Sequence, residues 1–192
     1  MTGGPAGVEL AAREGPMAAK IILETERLLL REFDEADVVP FYLMGSDPAV
    51  LRYTGDPAGG LKSMQQALEV LRSRPLADYR KYGYGRWACV LKASGEVIGF
   101  AGLKYLPDVQ EVDIGYRLLP AYWGRGLATE ASRAVLDYGR TRLDLERVIG
   151  LVDPANVASV RILEKLGLTP DGEVQFDGKR YARYVIQLRE TA

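Results

Sequence analysis

The run Thr25-Glu26-Arg27-Leu28-Leu29-Leu30-Arg31 sets Leu28 and Leu30 on one side between flanking arginines, and this period of two predicts a strand. From Asp34 the period changes to that of a helix, over 34–44. Asp34 is placed to cap it, with Glu35 and Asp37 in the first turn and Pro40 rather late in that turn. Pro48, Gly55, Pro57, Gly59 and Gly60 then mark a loop. Met64, Leu68 and Leu71 recur at helical spacing, which predicts a helix over 62–74 that ends before Pro75. Strands follow over 85–91 and 96–103, joined by the turn Lys92-Ala93-Ser94-Gly95, and a further strand over 109–118. A glycine-rich stretch at 122–126 opens a helix over 127–143 whose apolar face carries Leu127, Ala131, Ala134, Val135 and Tyr138. The chain closes with a strand over 147–152, a helix over 156–166 ended by Gly167, and two strands over 169–176 and 180–188 that flank Asp177-Gly178, a strong hairpin signal.

This order is neither a regular strand–helix alternation nor all strand. It predicts an α+β (mixed α/β) fold with a mostly antiparallel central sheet and helices packed on it. At 192 residues the chain is long enough to bury a full core, and one domain is expected over 20–192. Residues 1–19, rich in Gly, Ala and Pro without a periodic apolar face, are expected to be a flexible tail, with Met17 a candidate start. Neither a signal peptide nor an apolar run of membrane-spanning length is visible, so a cytoplasmic location is expected.

Charge and composition then narrow the chemistry. Lys plus Arg is 25 against 26 for Asp plus Glu, so bulk charge gives no support for nucleic-acid binding. Histidine is absent, which removes His-based triads, a His general base and His metal ligands. The one cysteine, Cys89, excludes a disulfide framework or a cysteine-based zinc site within one chain, and it reads as a small buried residue. No metal site is expected. Carboxylates, hydroxyls, phenols and backbone amides are left to do any chemistry.

The informative segment is 112–131, VDIGYRLLPAYWGRGLATEA. Gly124, Gly126 and the small Ala128 allow backbone to approach a ligand closely, and the helix that follows leaves its first N–H groups without intrahelical partners. Those donors and the helix dipole suit a phosphate or pyrophosphate, although a tight strand-to-helix turn explains the glycines equally well. Together with Thr25-Glu26-Arg27-Leu28, Val97-Ile98-Gly99, Ile114-Gly115-Tyr116, Asn156, Ser159 and Glu164-Lys165-Leu166-Gly167-Leu168, the segment 123–131 resembles the GNAT superfamily of acyl-CoA N-acyltransferases, and within it the RimJ/RimL-like ribosomal-protein N-acetyltransferases. The resemblance runs from about residue 24 to residue 188 and implies a splayed sheet with helices on both faces, acetyl-CoA as cofactor and an amine acceptor. It implies that backbone around Gly124, Arg125, Gly126, Leu127, Ala128 and Thr129 binds the pyrophosphate, that Tyr116-Arg117-Leu118 pairs with the pantetheine arm, and that Asn156 touches the cofactor. Trp123 stands where the superfamily motif has Gln or Arg. Asn156 also reads as a plain helix cap, and Arg125 as a solvated loop charge.

Acyl transfer to an amine needs a neutral amine, donors for the developing oxyanion and a proton or hydrogen bond for the leaving thiolate. The tyrosine that many family members use as the acid falls at Leu163, so Ser159, one turn earlier, is the expected substitute; its other reading is a polar first-turn residue. Alternation places Glu111, Asp113, Gly115 and Arg117 on one face of their strand, and Glu111 or Asp113 is the expected base unless both are surface charges paired with Lys104 or Arg117. Tyr53, Tyr79, Tyr82, Tyr84 and Trp87 are candidates for holding the acceptor or for packing. The expected acceptor is a protein or peptide N-terminal α-amine, with a small amine (amino acid, polyamine or antibiotic) or a non-catalytic CoA-binding module as alternatives. Neither nucleic acid nor membrane is an expected partner, and a homodimer stays open.

Overall fold

In the computed structural model of the chain, residues 19–54 and 59–189 are described. The expected tail, apart from Ala19, and the loop markers Gly55 and Pro57 lie outside them. An eight-stranded sheet organises the fold, in the order β1-β2-β3-β4-β5-β6-β8-β7. Its strands are β1 (Ile21–Glu24), β2 (Leu28–Arg31), β3 (Arg86–Leu91), β4 (Glu96–Leu106), β5 (Glu111–Leu118), β6 (Arg147–Val152), β7 (Thr169–Phe176) and β8 (Lys179–Gln187). Every neighbouring pair is antiparallel except β5 and β6, which run parallel and are linked by α5 (Leu127–Arg142). A parallel pair needs such a crossover, whereas the Asp177-Gly178 turn, with φ values of 50° and 73°, joins β7 and β8 directly.

The two sheet faces are covered differently. Trp87, Cys89, Ile98, Leu103 and Ile114 pack under α5, through Leu127, Ala131 and Val135, and against α6 (Val157–Lys165) through Leu163. On the other face a smaller cluster of Phe33, Met44, Leu71 and Ala88 lies under α1 (Val38–Ser46) and α3 (Met64–Ser73). Cys89 is fully buried, and burial pushes its thiol up, which leaves it inert.

Several elements depart from the sequence expectations. The helix expected over 34–44 is a 3-10 turn, Glu35–Asp37, followed by α1. Asp34 and Asp37 cap that turn reciprocally, and Pro40 is the third residue of α1, where a missing N–H costs no intrahelical bond. Pro48 lies in a short helix, α2 (Pro48–Leu51), capped by Asp47 rather than in open loop. Pro75 ends α3 but also starts α4 (Pro75–Tyr82), because proline is as well suited to a first helical position as to a stop. β1 pairs with β2 and was hidden by its short length. β4 runs on to Leu106, past the expected 103, and β5 begins at Glu111 rather than 109.

Candidate active site

β5 and β6 are in register at one position, Asp113 opposite Ile149, and beyond it toward their C-terminal ends they part. Asp113 fixes the point of parting. Its carboxylate accepts the Leu151 N–H at 3.1 Å, taking a ladder bond that a backbone carbonyl would otherwise take, and its other oxygen is ion-paired with the Arg86 guanidinium. Arg86 also donates to the Asp113 carbonyl at 3.0 Å and to the Gly102 carbonyl. Room for this guanidinium comes from Gly115, where a Cβ would stand 2.5 Å from it. Burial pushes the Asp113 carboxyl up, against the opposing pull of Arg86 and the Leu151 N–H.

A cavity of about 920 Å³ runs through this gap. Residues from both faces of β5 line it, Asp113, Gly115 and Arg117 from one and Ile114 and Tyr116 from the other, facing Leu151, Val152 and Asp153 across it. At one end it meets the start of α6. Asn156 caps that helix by accepting the Ser159 N–H at 3.2 Å, and both Asn156 and Ser159 line the cavity, so the helix-cap reading of Asn156 and its place at the gap hold together. The Tyr116 hydroxyl donates to the Ser159 carbonyl at 3.0 Å, and burial pushes its phenol up, so it stays protonated. Leu163, where a tyrosine acid would have stood, is a buried lining residue.

The glycine-rich loop lies at the N-terminus of α5. Gly124 and Gly126 have φ of 71° and 75°, Gly126 is the cap residue, and no side chain caps the helix. The first N–H to be satisfied within the helix is that of Glu130, bonded to the Gly126 carbonyl at 3.0 Å, which leaves the amides of Leu127, Ala128 and Thr129 as donors outside the helical ladder. Arg125 lies over the Tyr122 ring, and its carbonyl accepts from Arg27 at 2.9 Å. Arg27 is ion-paired in turn with Glu130, which also accepts from the Thr25 hydroxyl and the Arg27 N–H. Trp123 ties the loop to β5 by donating its indole N–H to the Leu118 carbonyl at 2.7 Å, a structural duty the sequence motif does not announce.

The structure does not gather every expected residue. Glu111 is paired with Arg147 near the start of the strands and does not line the cavity. The partners expected for the two carboxylates, Lys104 and Arg117, are replaced by Arg147 and Arg86. Leu118 is buried in the core, and its carbonyl is taken by Trp123. Of the aromatic group, Tyr53 lines the cavity; Trp87 is fully buried edge-on to Tyr138, Tyr79 braces Phe33 and Arg86, and Tyr82 packs on Tyr84 and Tyr105. The cavity also holds Asp78, which the sequence did not mark, and Lys104, which it marked only as a surface partner for the carboxylates; they come from α4 and β4 and share no local pattern.

A parted pair of strands, and a helix N-terminus with three donor amides whose loop is tied to the end of β5 through Trp123, fit a molecule with an amide-bearing chain and a pyrophosphate, as acetyl-CoA has. Comparison with known proteins agrees. Residues 27–169 match the family model of the acetyltransferase (GNAT) domain. The Bacillus subtilis (strain 168) protein YkkB is 34% identical over 155 residues, covering 79% of this chain and 87% of its own. A solved acetyltransferase from Agrobacterium tumefaciens str. C58 is 28% identical, covers 91% of this chain and 99% of its own, and superposes with a TM-score of 0.75. RimL, a ribosomal L7/L12 α-N-protein acetyltransferase solved with coenzyme A, shares the fold at a TM-score of 0.74 with 20% identity over 88% of this chain and 98% of its own. The chain therefore belongs to the GNAT family of N-acetyltransferases, enzymes that draw their acetyl group from acetyl-CoA.

Proposed function

We propose that the chain transfers acetyl from acetyl-CoA to an α-amine by direct attack within the gap between β5 and β6. The observation that carries this reading is the gap between β5 and β6 with the Asn156–Ser159 end of α6 on its cavity, together with the uncapped start of α5, whose loop Trp123 ties to the end of β5. Amides of Leu127, Ala128 and Thr129 hold the pyrophosphate, and the edges of Gly115 to Arg117 and of Leu151 to Val152 receive the pantetheine amides. Acetyl-CoA supplies the activated acetyl thioester. Ser159 stands at the cavity and donates to the departing sulfur; a hydroxyl of high pKa stabilises that anion by hydrogen bonding rather than by giving up its proton.

The same geometry bears on the base. Asp113 is buried and engaged at both oxygens, and Glu111 is outside the cavity, so Asp113 acts as the residue that sets the strand gap. Neither carboxylate expected as the base is then free for that role, and none is needed by an acceptor that supplies its own neutral fraction. An α-amine, with a pKa of about 8, does so at neutral pH far better than a lysine or polyamine amine at about 10.4. The resemblance to the RimJ/RimL branch supports the same choice.

Ser159→Ala tests the assignment. We expect kcat to fall by up to about 10²-fold, since a thiolate accepts more weakly than the oxyanions for which ~10²–10³-fold losses are known, with the acetyl-CoA Kd unchanged. A normal kcat, or a defect confined to cofactor binding, would remove Ser159 from the chemistry.

A further inference from the structure

Away from Ser159, toward α3 and α4, the cavity is walled by Phe33, Phe41 and Phe100 and carries Lys104 and Asp78 among its charged groups. Lys104 lies on β4 opposite Asp113 of β5, on the sheet face that carries Arg86. Asp113 and Arg86 neutralise each other by direct contact. Lys104 has no such partner: no ion pair or hydrogen bond within 4 Å reaches its ammonium or the Asp78 carboxylate among the described residues, although each feels the other's field. Its ammonium thus faces a cavity of mixed polar and apolar lining, with Arg74, Arg86 and Asp78 nearby and no anion of the described residues bonded to it.

We infer that the acceptor carries a carboxylate beside its amine, and that Lys104 receives this carboxylate at the far end of the cavity. The inference rests on the acetyltransferase reading above and names the acceptor class it left open. Burial pushes the Lys104 ammonium down, Asp78 and Asp113 pull against it and Arg86 and Arg74 push with it, and what this cation lacks is a negative charge in direct contact. An arriving carboxylate supplies that charge and fills the donors, and charge-assisted bonds of this kind are the strong ones. The same contact helps the chemistry. A free carboxylate next to an ammonium holds the proton on the amine; once Lys104 neutralises it, the amine gives up its proton more readily. A polyamine, by contrast, would bring further positive charge to Lys104.

The test compares leucine and phenylalanine with their carboxamides, spermidine and the peptide amide Glu-Ala-Ala, using the wild type, Lys104→Met and Lys104→Arg. In the wild type we expect kcat/KM for the free amino acids to exceed that for the carboxamides by roughly 10–100-fold. Lys104→Met should erase this ratio by raising KM for the carboxylates, and Lys104→Arg should restore much of it. Turnover of Glu-Ala-Ala amide above the free amino acids would assign the carboxylate to the first side chain of a peptide. Binding of 3-phenylpropanoate, which has the carboxylate and no amine, is measured on the CoA-loaded protein by calorimetry and should be lost in Lys104→Met. This arm stands without turnover: 3-phenylpropanoate binding with no amine acetylated would defeat the transferase proposal alone. Equal use of carboxylates and carboxamides, preference for spermidine, or 3-phenylpropanoate binding indifferent to Lys104 would overturn the inference.

Discussion

At Gly126 one residue meets two demands. Its φ of 75° is a left-handed conformation that β-branched side chains adopt only under strain, and its place at the start of α5 puts any side chain beside the donor amides. In the protein alone, a Cβ there would come no nearer than 3.7 Å to the Arg27 guanidinium, so the site has space that a ligand can use. Gly126→Val is expected to fold, with a loss of roughly 1–2 kcal/mol from the backbone, and to weaken acetyl-CoA binding by at least about tenfold, as measured by calorimetry. Unchanged affinity would displace the pyrophosphate from this loop. The need for a small residue here was legible, because a Gly-x-Gly spacing before a helix has a local meaning. The duty of Asp113 was not. Its partners Arg86 and Leu151 lie 27 and 38 positions away, and alternation along one strand shows which face a carboxylate takes but not what waits for it there.

Elements show the same division between local and distant causes. The strands flanking Asp177-Gly178, the long helix α5 and the helix closed by Gly167 (φ 89°) stand close to where periodicity and turn chemistry put them. α4 was missed because a proline both stops one helix and starts the next, and its tyrosines look like loop aromatics until the helix is seen. The splay of β5 from β6 is not a property of either strand's sequence, since it depends on where an eight-stranded sheet changes from antiparallel to parallel pairing. The link between β2 and α5 is likewise tertiary. Burial pushes the Glu130 carboxyl up, but hydrogen bonds from the Thr25 hydroxyl and from the Arg27 N–H and guanidinium outweigh it and hold it below its ordinary value of 4.5. A lowered folded pKa contributes stability that is present above the unfolded pKa and lost as pH falls through the folded one. The Tm of the wild type should therefore drop more steeply than that of Glu130→Gln as pH falls below 4.5. Parallel Tm–pH curves for the two proteins would show that the pair carries no linkage.

Across the whole molecule, the gap is where the sheet is held together least. β5 and β6 share one register position, and the strands on either side of them are bonded along their lengths. The helices that cover the two faces, α5 and α6 on one and α1 and α3 on the other, do not replace the missing ladder bonds. A ligand whose amides bridge the two strand edges and whose pyrophosphate sits on α5 therefore does what a missing strand would do, and it does so only in the folded protein. By mass action, acetyl-CoA at 100 times its Kd stabilises the fold by ~2.7 kcal/mol. For a chain of this size each kcal/mol moves Tm by about 2–4 °C, so a rise of about 5–11 °C is expected in a thermal melt. Hydrogen exchange should slow at the same time at 115–117, 151–153 and 127–129, and little in β1–β3, which lie on the far side of β4. Gly126→Val should lose most of the shift at the same ligand concentration. A Tm rise that survives in that variant, or protection spread evenly over the sheet, would mean that acetyl-CoA stabilises the protein from somewhere other than the gap between β5 and β6.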